Sequence, residues 1–116
     1  MSTDDQRLTH RLADMARFAD EAAWVVHFGR DAYVSDDPQG ALLRNAGERI
    51  LIKIATVVEK LPETYKGTHP QVQWVAISRL RNLVAYHYDK VNDDLIWGSL
   101  ERDVPQLIQD LGLTSQ

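Results

Sequence analysis

The stretch LRNAGERILIKIATVVEKLP, Leu43 to Pro62, decides the fold class of this chain. Its apolar residues return every three or four positions, the spacing that keeps side chains on one face of an α-helix. They are Leu43, Ala46, Ile50, Ile54, Val57 and Leu61. A residue before proline is pushed out of the α region, so the Leu61-Pro62 pair predicts the end of this helix. The stretch is therefore a long amphipathic helix with a defined end.

Three other segments show the same helical spacing. Their apolar residues are Leu8, Leu12, Met15, Ala19, Ala22 and Val26 in the first, Val72, Ala76, Leu80 and Leu83 in the second, and Leu95, Ile96, Leu100, Val104, Leu107, Ile108 and Leu111 in the third. Pro105 lies inside the last segment and predicts a kink or a split there. Gly29 predicts the end of the first helix. The sequence thus predicts an all-α, up-and-down antiparallel bundle of four to five helices in a single domain, residues 1–116.

Composition narrows the function classes. The 116-residue chain has a net charge of −4, which argues against broad, sequence-independent binding to nucleic acid. It has no cysteine, so disulfides, thiolate nucleophiles and Cys-ligated zinc are excluded. No apolar run approaches the length of a membrane span, and the first residues lack the features of a signal peptide. We expect a cytoplasmic protein.

The segment RNLVAYHYDKV, Arg81 to Val91, carries side chains that can handle phosphate and protons. An arginine can hold a phosphate, a histidine can exchange protons near neutral pH, and Asn82 can orient either group. These groups suit cleavage of RNA without a metal or another cofactor, in which the neighbouring 2′-hydroxyl attacks the phosphorus. Acidic residues and histidines show no metal-ligand spacing, so no metal site is predicted.

The helical period separates these side chains. In a regular helix Tyr88 shares the face of Arg81, whereas Tyr86 and His87 do not. A site that uses Arg81 with His87 therefore needs a bend, or a second copy of the chain across a two-fold axis. The alternative is structural: Arg81 pairs with an acid such as Glu48, while His87 and Tyr88 cover the end of the core.

A series of short motifs follows along the chain, in the order LRNAGERI, an LPE-containing turn, HPQVQW, the RN of Arg81-Asn82, YDKVNDDLIW and DVPQL. Together they resemble the HepT-like toxins, a branch of the HEPN superfamily. The resemblance covers about Leu8 to Leu111. It implies an all-α homodimer that cleaves RNA, possible substrates including transfer RNA, without a metal. It also implies an MntA-like nucleotidyltransferase antitoxin, which blocks the toxin by transferring AMP to a tyrosine.

The family motif is an arginine, four to six residues, a histidine, and a tyrosine two positions further on. By this resemblance Arg81 is the catalytic arginine, Asn82 its polar neighbour and Tyr88 the AMP acceptor. Tyr86 stands where the histidine is usually found, and His87 satisfies only the wider spacing. Either His87 acts as the acid and base, or Tyr86 makes this chain a catalytically weakened variant. A tyrosine with a pKa near 10 is a poor base at neutral pH, and losing acid–base catalysis costs roughly 10²–10⁴ in rate.

A second function belongs to another class. The chain could be a non-catalytic HEPN partner that binds a nucleotidyltransferase or its nucleotide and cuts nothing. The missing histidine and the acidic composition both favour this alternative. A purely structural bundle would leave the segment from Arg81 to Tyr88 unexplained.

Overall fold

The computed structural model describes residues 3–86 and 90–113, and these residues form an all-α bundle. The helices are α1 (Thr3–His27), α2 (Arg30–Tyr33), α3 (Pro38–Lys60), α4 (Glu63–Gly67), α5 (Trp74–Ser78), α6 (Leu80–Ala85), α7 (Lys90–Gly98) and α8 (Val104–Leu111). A π-helical turn, Ser99–Asp103, joins α7 to α8. The predicted fold class is therefore confirmed. None of the described helices is long and apolar enough to cross a membrane.

Helix α3 begins and ends where local chemistry predicts. The backbone N–H of Gly40 donates to the Asp37 side chain at 2.7 Å, which makes Asp37 the N-cap, and Pro38 follows in the first turn. This hydrogen bond, together with one from Ser35, lowers the pKa of the Asp37 carboxyl. At the other end Leu61 is extended, with φ −68° and ψ 140°. The proline that follows it is sufficient reason.

The core lies where α3 packs against α1, the short helix α2 and the C-terminal helices. Its most deeply buried large side chains are Met15, Tyr33, Leu51, Ile54, Val58, Ile96 and Leu100. The ring of Tyr33 lies 5.2 Å from that of Trp97, measured between centroids, and so joins α2 to α7. Gly29, with φ 89°, makes the turn from α1 into α2. The predicted end of the first helix is confirmed.

The last predicted helix is split, as Pro105 indicated. The π-helical turn separates α7 from α8, and Pro105, which has no N–H to donate to the preceding turn, lies in the first turn of α8. Another break was not predicted. The segment from Val72 to Leu83 contains two short helices that meet at Arg79. The Ser78 hydroxyl donates to the Val75 carbonyl at 2.8 Å, a local bond that competes with helix continuation.

Candidate functional site

Arg81 lies in the first turn of α6, and its side chain contacts α3. Its Nη2 donates to Thr56 Oγ1 at 2.8 Å and lies 3.1 Å from Glu59 Oε2. Thr56 and Glu59 are three residues apart, so their side chains are neighbours on one face of α3. Arg81 does pair with an acid, as the structural alternative supposed, and that acid is Glu59. The contact positions the guanidinium, which in the described residues makes no other hydrogen bond.

The Arg81 side chain remains 40% exposed, and that of Glu59 is 44% exposed. An arginine carries five N–H donors, of which the described contacts use those on one terminal nitrogen. The remaining donors can reach an anion that approaches from solvent, in the forked geometry that suits a phosphate. A half-exposed ion pair of this kind contributes only about 0–1 kcal/mol, so a phosphate can compete with Glu59.

Regular helical geometry ends four residues after Arg81, at Ala85. Helix α6 ends at Ala85, and Tyr86 has φ −107° and ψ 33°. The Asn92 amide donates to the Tyr86 carbonyl at 3.1 Å, which ties the start of α7 back to this point. The face assignments made for a regular helix therefore stop applying at Tyr86. A bend is what a site combining Arg81 with His87 needs.

The other predicted site residues divide into two groups. Asn82 is exposed, and the Tyr86 side chain is 64% exposed, so both are accessible to a ligand. His87 and Tyr88 lie outside the described residues. The acid–base role of His87 and the AMP-acceptor role of Tyr88 remain predictions.

A buried polar cluster lies beside α3, where α2 and α7 meet it. Tyr33 is fully buried, and burial, followed by the charges of Glu48 and Asp93, raises the pKa of its phenol far above the usual value. Arg44 donates to the carbonyls of Tyr33 and Ser35, at 2.9 and 2.7 Å. These contacts fix α2 against α3. The ring contact between Tyr33 and Trp97 extends this packing to α7.

Sequence analysis missed the two α3 residues that hold Arg81. Thr56 and Glu59 lie in the amphipathic stretch from Leu43 to Pro62 but in none of the motifs that carry the family resemblance. The burial of Asp93, which is only 7% exposed, was not predicted either. Residues 3–86 and 90–113 contain no group of three His, Asp or Glu side chains placed to hold a metal ion.

Comparison with known proteins identifies the family. The Ribonuclease HepT-like family model matches residues 25–112, which include α3, the Arg81 segment and the split C-terminal helix. The chain belongs to this family. The resemblance drawn from its short motifs is thereby confirmed.

Three proteins similar to this chain have names that describe them as ribonucleases. "Putative RNase MJ0127" of Methanocaldococcus jannaschii is 29% identical over 87 residues, which cover 75% of this chain and 72% of the relative. "Putative RNase TTE0752" of Caldanaerobacter subterraneus subsp. tengcongensis is 30% identical over 87 residues, with 75% and 78% covered. "Probable ribonuclease HepT" of Thermococcus cleftensis is 27% identical over 59 residues, with 51% and 54% covered. No solved structure matches the chain.

Proposed function

We propose that this protein is a HepT-type ribonuclease that cuts RNA without a metal, and that Arg81 binds the scissile phosphate. The observation that carries the proposal is the placement of the Arg81 guanidinium. It is held by Thr56 and Glu59 yet half-exposed, in the short helix that ends at the bend at Tyr86. Family membership and the names of the relatives support the same reaction class.

The reaction needs a base, an acid and a positive charge from the protein. A base takes the proton of the 2′-hydroxyl, whose oxygen attacks the phosphorus. The bond to the 5′-oxygen breaks, and an acid protonates that oxygen, leaving a 2′,3′-cyclic phosphate and a 5′-hydroxyl. Arg81 offsets the negative charge that builds on the phosphate. His87 exchanges the protons, and Asn82 orients the phosphate or the histidine.

Tyr86 makes the chain a weakened enzyme in this proposal. The Tyr86 side chain is accessible, but histidine is the residue type that most often performs general acid–base catalysis. Restoring a histidine at position 86 should therefore raise the rate.

The remaining family features complete the proposal. The protein acts as the toxin of a toxin–antitoxin pair, as a single-domain cytoplasmic homodimer. An MntA-like nucleotidyltransferase neutralises it by transferring AMP to Tyr88. Transfer RNA is the proposed substrate.

A second candidate is a non-catalytic partner that binds a nucleotidyltransferase or its nucleotide. Its specific support is that Glu59 already neutralises Arg81 and that Tyr86 replaces the usual histidine. In this case the exposed Asn82 and Tyr86 would form part of a protein-binding surface.

Cleavage of labelled transfer RNA in EDTA separates these functions. The unaltered chain is compared with Tyr86→His, Arg81→Ala and the combination of both. We expect Tyr86→His to cut roughly 10²-fold or more faster than the unaltered chain, the typical contribution of general acid–base catalysis. Arg81→Ala should abolish the activity of both backgrounds.

Other results would redirect the assignment. Rapid cleavage by the unaltered chain, lost in Arg81→Ala, would make His87 sufficient and refute the weakened-variant proposal. Intact RNA with every version would contradict the ribonuclease proposal and favour the partner-binding candidate.

A further inference from the structure

A basic groove of about 260 Å³ lies between α1 and α3, on the part of α3 that precedes and includes the Arg81 contact. Four cationic side chains line it: Arg11 from α1, and Arg49, Lys53 and Lys60 from α3. Asp14 is the one carboxylate among its lining residues. The protein as a whole is acidic, with a net charge of −4, so this groove differs in sign from the average surface.

The three α3 cations, Arg49, Lys53 and Lys60, form a single stripe along the helix together with Thr56. Arg49, Lys53, Thr56 and Lys60 follow each other at i, i+4, i+7 and i+11, positions that share one face of a helix. From Arg49 to Lys60 the stripe extends about 16 Å, at 1.5 Å per residue. A stacked nucleic-acid strand advances about 3.4 Å per nucleotide, so the stripe matches roughly four or five nucleotides.

Three of the four cations are available to an external anion. Lys53 pairs with Glu21 at 2.9 Å, and Asp14 pairs with Arg17 at 3.0 Å. Within the described part of the chain, no carboxylate lies at ion-pair distance from Arg11, Arg49 or Lys60. Clustered cations repel one another unless an anion joins them, so the groove gains from a polyanionic ligand.

The floor of the groove includes an aromatic ring that helps to place Lys53. The Lys53 ammonium lies 4.6 Å from the centre of the Phe18 ring, and the Arg17 guanidinium lies 5.1 Å from it. Cations over a ring face are attracted by its quadrupole. The positive charge is therefore held along the line where α1 meets α3.

Thr56 connects this groove to the proposed catalytic arginine. It lines the groove, and its hydroxyl accepts the 2.8 Å hydrogen bond from Arg81 Nη2. A phosphate chain lying in the groove would therefore reach Arg81 without leaving the surface of α3. An acidic protein segment could bind the same cations, but its binding would not explain why the groove leads to the proposed phosphate-binding arginine.

We infer that the groove binds the sugar–phosphate backbone of the RNA flanking the phosphate held by Arg81. The inference rests on the proposed ribonuclease function for its ligand. The lining residues Arg11 and Phe18 precede residue 25, where the family match begins. The groove would thus add an RNA-binding surface that is formed in part by residues outside the matched segment.

The test measures binding of a labelled single-stranded 2′-O-methyl RNA, which lacks the attacking hydroxyl and cannot be cut. The triple variant Arg11→Gln, Arg49→Gln and Lys60→Gln is compared with the unaltered chain over a salt series. Each phosphate contact on a single strand contributes about 0.7 to the slope of log K against log salt. We expect the slope to fall by about 2 and the affinity at low salt to fall roughly tenfold or more.

Arg102→Gln is the matched single-site control for Arg49→Gln, because Arg102 is 77% exposed and does not line the groove. It should leave the dissociation constant unchanged, while Arg49→Gln weakens binding. Thermal unfolding confirms that each variant is folded. Equal affinity and equal salt slope for the triple variant and the unaltered chain would overturn the inference.

Two further arms separate this inference from the proposed function. If the groove variants weaken RNA binding but no version cleaves ordinary RNA, the inference about the groove is supported and the ribonuclease proposal is rejected. Failure of the unaltered chain to bind the RNA would overturn the inference about the groove. The cleavage assay would still test the ribonuclease proposal independently. Displacement of the RNA by polyglutamate as effectively as by unlabelled RNA would assign the groove to an acidic protein.

Discussion

Arg81 is the residue whose surroundings most directly affect function. Its guanidinium has two partners on α3, a neutral hydroxyl and a carboxylate, with different consequences. Thr56 directs the side chain and leaves its charge intact. Glu59 also directs it but competes with any phosphate for the same cation. The two contacts together hold Arg81 in place and reduce its affinity for anions.

We therefore predict that Glu59→Gln strengthens binding of the uncleavable RNA by about two- to fivefold. A half-exposed ion pair is worth about 0–1 kcal/mol, and removing it releases that much for a phosphate. The dissociation constant, measured at low salt, checks this. Thr56→Val is the companion variant and should weaken binding, because the guanidinium loses its uncharged support. Weaker binding by Glu59→Gln would show that the carboxylate acts mainly to position Arg81.

At the scale of elements, the close approach of α3 to its neighbours depends on Gly47. A Cβ at this position would lie 2.7 Å from Leu100 Cδ1 and 2.9 Å from Tyr33 Oη. Both neighbours are fully buried, and they belong to the π-helical turn and to α2. The glycine thus lets three elements meet at one point, and a side chain there would have to displace the ends of the Leu100 and Tyr33 side chains.

Gly47→Ala should lower the free energy of unfolding by about 1–3 kcal/mol, the usual cost of overpacking a core. Alanine's better helix propensity, worth about 1 kcal/mol, offsets part of this cost. Urea unfolding measures the change. Gly67→Ala in α4 is the control, since a Cβ there meets nothing within 4 Å. A Gly47→Ala protein as stable as the control would show that α2 and the π-helical turn move apart easily.

At the scale of the whole molecule, the bend at Tyr86 and a second copy of the chain are two ways to bring acid–base groups to Arg81. A two-fold axis would supply a second set of these groups. The surface also exposes large apolar side chains, including Trp24 at 70% and Leu42 at 69%. A homodimer is consistent with both features.

We expect sedimentation equilibrium to give twice the 13.2 kDa chain mass. The Tyr86→His variant should have the same mass, because the Tyr86 side chain is exposed and its replacement is expected to change catalysis and not assembly. A single-chain mass over the accessible concentration range would contradict the homodimer. It would require Arg81 and His87 to act within one chain.

Local sequence features determined much of this fold. The period of α3, the Asp37 cap, the Leu61-Pro62 end, the turn at Gly29 and the split near Pro105 each depend on residues close together in the chain. Such features follow from backbone sterics and from hydrogen bonds within one turn. The order of short motifs was likewise sufficient to identify the family.

Tertiary packing decided what the sequence could not. Arg81 meets Thr56, twenty-five residues earlier, only because α6 packs on α3. The burial of Asp93 and the union of Arg11 with Arg49 in one groove also come from helices that are distant in sequence. Helical spacing shows which side chains share a face, but it does not say which face of another helix they meet. That pairing is set by the shapes of the packed surfaces, as the fit of α2 and Leu100 against Gly47 shows.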